Sequence, residues 1–103
     1  MHATHSLTFT RHGKRRLNER IALCEAEVRK LIQENKAIPL GREKSRIHYM
    51  FFSEPDQECF VVVLDYQTRE VITILPIDYH NRWRISLDLV MQARDLITSS
   101  VTQ

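Results

Sequence analysis

The stretch CFVVVLD at residues 59–65 decides how the rest of this chain has to fold. Successive residues of a β-strand point to opposite faces of a sheet. In this run one face would carry Phe60, Val62 and Leu64, and the other would carry Val61 and Val63. A strand that is apolar on both faces needs cover on both, as a central strand has. We therefore predict that residues 59–65 form the central strand of a sheet, with a helix over at least one face.

Two further strand-like runs flank this central one. RIHYMFFS (Arg46–Ser53) is rich in aromatic residues and EVITILP (Glu70–Pro76) in β-branched ones, both typical of strands. The links at residues 54–58 and 66–69 are short and polar, as hairpins require. These runs predict an antiparallel meander within a three- to four-stranded antiparallel sheet.

Apolar residues at steps of three and four predict amphipathic helices on both sides of the strands. A single N-terminal helix over residues 11–35 would be ~37 Å long. That is long for a 103-residue domain, so we predict a break near residues 20–24 and hence a helix pair. Thr10 is the expected N-cap after a brief extended piece at Leu7–Phe9, and Asn35 to Gly41 is expected to be a loop.

A C-terminal helix is predicted from an N-cap at Ser86 to about residue 98. The fold class is therefore α+β in one domain, with residues 1–6 disordered and residues 77–103 forming an extension that contains this helix. Cys24 and Cys59 both fall in apolar patterns and are predicted to be buried free thiols in a reducing compartment. The opening residues lack the apolar core of a signal peptide, and no apolar run approaches the ~20 residues of a membrane span. We expect a cytoplasmic protein.

The net charge is only +2, but basic residues concentrate in TRHGKRRLNER (Thr10–Arg20). This stretch holds five Arg and Lys residues and one acid, Glu19. In a helix, His12, Arg16 and Arg20 would share a face because they are four residues apart. An imidazole beside guanidinium groups suits phosphate binding or phosphate chemistry. The alternative is a histidine at a helix start that only makes structural hydrogen bonds.

The chain resembles small bacterial domains of the RelE/barnase-like superfamily over roughly residues 7–76. The resemblance rests on Phe9, Thr10, His12, Arg16 and Arg20, on the helix that follows, and on EVITIL at Glu70–Leu75. It implies metal-independent RNA cleavage without a cofactor, commonly as the toxin of a toxin–antitoxin pair. The partners would then be RNA and an antitoxin or another protein.

The candidate catalytic residues are His12 as acid–base, Arg16 as phosphate clamp, and His80. The candidate nucleic-acid-binding residues are Lys14, Arg15, Arg20, Lys44, Arg46, Arg82, Trp83 and Arg84. Residues 79–84 interleave aromatics with arginine, as base-stacking surfaces do, although Trp83 would equally serve to anchor the last helix. His48 fits a structural position in its strand, and Lys44 fits a solvated loop. No zinc spacing, Walker motif or Ser/His/Asp order is present.

Two other functions stay open at this point. One is a non-catalytic protein-interaction module of phage or mobile-element type, dimeric through an open sheet edge or bound to a partner through the Trp83 region and the C-terminal helix. It predicts that the histidines and arginines lie apart and that an apolar patch is exposed. The other is a DNA-binding regulator, for which the sequence offers no helix-turn-helix.

Overall fold

The structure is a computed structural model that describes residues 7–79 and 85–98. The predicted disorder of residues 1–6 lies outside these described residues. In chain order the elements are β1 (Thr8–Phe9), α1 (Arg11–Arg20), α2 (Glu25–Gln33), β2 (Ile38–Glu43), β3 (Arg46–Ser53), β4 (Glu58–Asp65), β5 (Glu70–Pro76), a 3₁₀ turn (Ile77–Tyr79) and α3 (Leu87–Thr98).

The α+β class is confirmed, but the sheet is larger than predicted and is mixed. Its five strands stand in the order β1-β5-β4-β3-β2, and β1 runs parallel to β5 while the other neighbours are antiparallel. The strand β2 was predicted as loop because it contains Pro39 and Gly41. As an edge strand it tolerates a proline, and its pairing with β3 shifts register between those two residues.

The predicted central position of residues 59–65 is confirmed, because β4 is the third of the five strands. Phe60, Val62 and Leu64 are buried on the side of the sheet that α1 and α2 cover. Cys59 and Val61 are buried on the other side, against Ala93 of α3. We call these sides the helix-pair side and the α3 side of the sheet.

The predicted helix break and both predicted caps are also confirmed. The structure places α1 and α2 on either side of residues 21–24. Thr10 Oγ1 accepts a hydrogen bond from Gly13 N at 3.0 Å, and Ser86 Oγ accepts one from Leu89 N at 3.2 Å. None of the helices in residues 7–79 and 85–98 combines the length and the apolar character needed to cross a bilayer.

The prediction for the cysteines is right for Cys59 and wrong for Cys24. Cys59 is buried, and burial, with a smaller contribution from the charge of Glu58, raises the pKa of its thiol to about 11. Cys24 is exposed because the helix breaks before it and it becomes the N-cap of α2. Its backbone N–H donates to Glu27 Oε1 at 2.9 Å.

The helix α1 packs against β5 at very short range. A Cβ atom on Gly13 would lie 2.5 Å from the carbonyl oxygen of Val71, so the helix approaches this closely only because the residue is glycine. The Thr10 backbone N–H donates to the same oxygen at 3.0 Å, and Arg20 Nη1 donates to Ile74 O at 2.7 Å. These contacts fix which face of α1 points to solvent.

Replacing Gly13 with alanine tests this contact. We expect Gly13→Ala to lower the free energy of unfolding by about 1–3 kcal/mol, because the added methyl group forces α1 away from β5. The loss should appear despite the ~1 kcal/mol of helix propensity that alanine adds. Urea unfolding followed by circular dichroism measures it. Asn18→Ala, at an exposed position of the same helix, is the control and should stay within about 0.5 kcal/mol of wild type.

Candidate nucleic-acid interface

The solvent side of α1 carries the densest positive charge in the described part of the chain. Gly13 and Leu17 are the buried residues of this helix. Four basic residues of α1 are exposed, and we call them the α1 cationic face: Arg11, His12, Lys14 and Arg15. No ion pair to Arg11, Lys14 or Arg15 is formed by residues 7–79 and 85–98. These three charges are therefore directed to solvent.

The charges at the start of α1 oppose the helix dipole. The N-terminus of a helix carries a partial positive charge that favours acidic residues and disfavours cations, by about 0.3–1 kcal/mol for each. The first turn of α2 holds Glu25 and Glu27, and that of α3 holds Asp88. The first turn of α1 holds no acid and begins with Arg11. Arg15, four residues later, adds a like-charge repulsion of a few tenths of a kcal/mol.

The predicted set of His12, Arg16 and Arg20 is only partly available for a ligand. His12 is exposed. Arg16 Nη1 pairs with Glu19 Oε1 at 2.7 Å, with both side chains partly exposed. Arg20 Nη1 is held by Ile74 O, so this guanidinium contributes to docking the helix on the sheet. Arg16 could leave Glu19 for another anion at little cost, because an exposed ion pair contributes only about 0–1 kcal/mol.

Lys44 and Arg46 lie away from α1, beside a concavity of about 560 Å³ on the α3 side of the sheet. This concavity is also lined by His48, which is only 8% exposed. The register places Arg46 between Glu43 on β2 and Asp65 on β4. The two cations of this concavity are thus balanced by two carboxylates, whereas Arg11, Lys14 and Arg15 have no ion pair within residues 7–79 and 85–98.

Hydrogen bonds hold the Asp65 side chain in the turn between β4 and β5. Its Oδ1 accepts from Gln67 N at 3.0 Å and from Thr68 N at 3.2 Å, and its Oδ2 accepts from Ser45 Oγ at 3.2 Å. The Thr68 hydrogen bond is the largest cause that lowers the pKa of Asp65, and the nearby Arg46 charge lowers it further. This carboxylate is an acceptor that organises two turns.

The sheet separates the two described histidines. His12 belongs to α1 on the helix-pair side, whereas His48 lines the concavity on the α3 side. They cannot act on one phosphate. His80, Arg82, Trp83 and Arg84 lie outside the described residues. Within the described ranges, no three His, Cys, Asp or Glu side chains cluster closely enough to hold a metal ion.

A second concavity, of about 580 Å³, was not foreseen from the sequence. It lies on the helix-pair side and is lined by Tyr49, Tyr66 and Arg69 among others. The three residues come from a strand and from the loop after the next strand, so only the sheet register brings them together. The one sequence signal is that Tyr49 shares a strand face with Ile47, which also lines this concavity.

Comparison of the chain with protein-family models, curated proteins and solved structures gives no match.

The role of Asp65 gives a prediction about acid stability. A carboxylate with a lowered folded-state pKa stabilises the fold above its unfolded pKa of ~3.9, and this contribution disappears as the pH falls through the folded value. We expect Asp65→Asn to be less stable than wild type at neutral pH and the gap to close as the pH falls below about 4. Thermal melts from pH 7 to pH 2 measure the gap. Asp95→Asn, on an exposed residue of α3, is the control, and an equal gap at all pH values would contradict the assignment.

Proposed function

We propose that this protein binds RNA and that the phosphates lie along the α1 cationic face. The observation that carries the proposal is the placement of Arg11 and Lys14 at the start of a helix, where they oppose the helix dipole. Folding gains nothing from this arrangement, and the other two helices avoid it. Residues that violate a local stability rule without compensation are expected at functional sites.

The charge distribution supports a local rather than a global attraction to a polyanion. The chain carries a net charge of only +2, so it has no strong overall field. Binding of phosphates by Arg11, Lys14 and Arg15 would release counterions, which makes the affinity depend on salt concentration. The resemblance to RelE/barnase-like domains favours RNA as the polyanion.

The same resemblance extends the proposal to metal-independent cleavage, with the protein as a toxin-like ribonuclease and an antitoxin as its protein partner. His12 is the one described histidine on α1, and histidine is the side chain that acts most often as a general acid or base. Arg16 lies one turn away and would exchange Glu19 for a phosphate. In this scheme His12 takes the proton of the 2′-hydroxyl, whose oxygen attacks the phosphorus while the P–O5′ bond breaks. Protonated His12 or a water molecule then gives a proton to the departing 5′-oxygen, which leaves a 2′,3′-cyclic phosphate. Arg16 stabilises the charge that develops on the phosphorane.

Charge reversal at the helix start separates binding from folding. We expect the double substitution Arg11→Glu, Lys14→Glu to weaken binding of a labelled single-stranded RNA and to raise the melting temperature, since both new acids favour the helix dipole. The slope of log K against log salt should become shallower by about 0.7 for each phosphate that the variant no longer neutralises. Fluorescence anisotropy at several salt concentrations measures the affinity and its slope, and a thermal melt measures the stability.

A matched control replaces a cation elsewhere on the surface. Arg94→Glu changes an exposed residue of α3, on the other side of the sheet. It should leave the affinity for RNA within about twofold and the salt slope unchanged, because this residue lies away from the α1 cationic face. Arg11→Glu and Lys14→Glu, made singly, change the net charge as much as Arg94→Glu does. If all three weakened binding equally, net charge alone would drive binding and the proposal would fail.

Cleavage is tested with total RNA in EDTA, using wild type, His12→Ala and Arg16→Ala. The ribonuclease part of the proposal expects metal-independent cleavage that both substitutions reduce by at least about 100-fold. This is the lower range for loss of a general acid–base group, as in His12→Ala, and for loss of a group that stabilises transition-state charge, as in Arg16→Ala. His48→Asn is the matched control because His48 lies on the other side of the sheet. If wild type binds RNA and leaves it intact, the ribonuclease part is wrong and RNA binding stands.

One observation favours the second function, a non-catalytic protein-interaction module. On α3, Leu87 is 75% exposed and Met91 is 41% exposed, and they share a face because they are four residues apart. The separation of His12 from His48 also agrees with this alternative.

If the protein is a dimeric module, we expect Leu87→Lys to abolish the dimer. Light scattering after gel filtration measures the mass. Gln92→Lys is the control on the same helix, and a monomer at all concentrations would reject the dimer.

A further inference from the structure

The second concavity on the helix-pair side has the chemical lining of a nucleotide site. Its apolar part comes from Ile32 at the end of α2 and from Ile47 and Leu64 on the sheet. Its polar part comes from two tyrosines, Tyr49 and Tyr66, together with Gln33 and Arg69. Its volume of about 580 Å³ falls within the usual ~300–1,000 Å³ of small-ligand sites.

Two arginines stand beside these tyrosines. The guanidinium carbon of Arg42 lies 4.6 Å from the centre of the Tyr66 ring, and Tyr66 itself is 37% exposed. Arg42 pairs with Ile47 across the strands, so both residues face the same side of the sheet. Arg69 lines the concavity directly, from the turn between β4 and β5. An aromatic ring can stack on a nucleobase, and a neighbouring guanidinium group can bind the phosphate of the same nucleotide.

The backbone at Arg69 is unusual for a residue with a side chain. Its φ of 62° is in the left-handed region that favours glycine. Three other residues of this glycine-poor chain share this conformation, so the strain alone does not single out Arg69. It does mean that glycine would fit the backbone conformation of this turn at least as well as arginine does.

The second concavity lies next to the segment that leads into α1. Thr8 N donates to Arg69 O at 3.0 Å, which ties the turn that carries Arg69 to the segment leading into α1. Leu7, the residue before that segment, also lines the concavity. The end of α2 also lines the concavity through Gln33, and the partial negative charge of this helix end disfavours a phosphate there. A phosphate therefore belongs at the side of Arg42 and Arg69.

We infer that this concavity binds one unpaired nucleobase, stacked on Tyr66, with its phosphate held by Arg42 and Arg69. A base that is paired in a duplex cannot enter it, so the ligand is single-stranded nucleic acid or a free nucleotide. The inference adds a second contact point to RNA binding by α1. Its test uses mononucleotides, so it can succeed or fail independently of the proposed function.

The experiment is a titration of ¹⁵N-labelled protein with adenosine 5′-monophosphate and with uridine 5′-monophosphate, followed by amide chemical shifts. We expect saturable shifts at Tyr49, Tyr66 and Arg69. Tyr66→Ala should weaken binding at least about fivefold, the lower end for loss of a stacked base, whereas Tyr66→Phe should bind like wild type. Arg69→Gly should weaken binding of the monophosphate but not of free adenosine, and a thermal melt checks that the variant stays folded.

Three outcomes would overturn the inference. One is the absence of saturable shifts at these residues with either nucleotide. Another is an equal response to inorganic phosphate alone, which would leave only an anion site without base recognition. The third is unchanged nucleotide affinity in Tyr66→Ala. The doubly reversed α1 variant, Arg11→Glu with Lys14→Glu, should keep nucleotide binding at this concavity even where it no longer binds RNA, which separates this site from the α1 cationic face.

Discussion

The structure depends on the two-sided burial of β4. A strand with apolar residues on both faces is stable only if each face is covered, and this chain covers one with α1 and α2 and the other with α3. The cover on the helix-pair side has to approach closely, and Gly13 permits α1 to pack on the Val71 carbonyl. Once the helix is docked there, the rotation of α1 is fixed. Arg20 then reaches the Ile74 carbonyl of the sheet, and the four residues of the α1 cationic face are left toward solvent.

The two sides of the sheet consequently differ in electrostatic character. On the α3 side, Arg46 stands between Glu43 and Asp65 in register, so cross-strand pairing balances its charge. On the helix-pair side, no acid occupies the first turn of α1, and the carboxylate of Glu19 in the same helix is engaged by Arg16. A cation on the α3 side is thus already neutralised, whereas the cations of α1 are not. An approaching polyanion would be attracted more strongly to cations that no carboxylate already neutralises.

Sequence reasoning predicted what local pattern controls and missed what long-range pairing controls. The bounds of β3 and β5, the helix break and both caps follow from periodicity and capping chemistry. The strand β2 was missed because Pro39 argues against a strand unless its edge position is known, and the parallel pairing of Thr8 with Glu70 spans most of the chain. The basic stretch was found from composition alone. The second concavity could not be found, because the register between β3 and β4 and the packing of α2 against them create it.

The geometry also ranks binding above cleavage. Metal-free cleavage of RNA needs a base for the 2′-hydroxyl and an acid for the leaving oxygen. Among the described residues the helix-pair side offers only one histidine, His12, for these roles, because His48 faces the other side of the sheet. A single imidazole has to deliver to the leaving oxygen the proton it takes from the hydroxyl, or a second group has to come from another part of the chain. Binding needs no such pair. It needs only the outward cations that the docking of α1 already fixes.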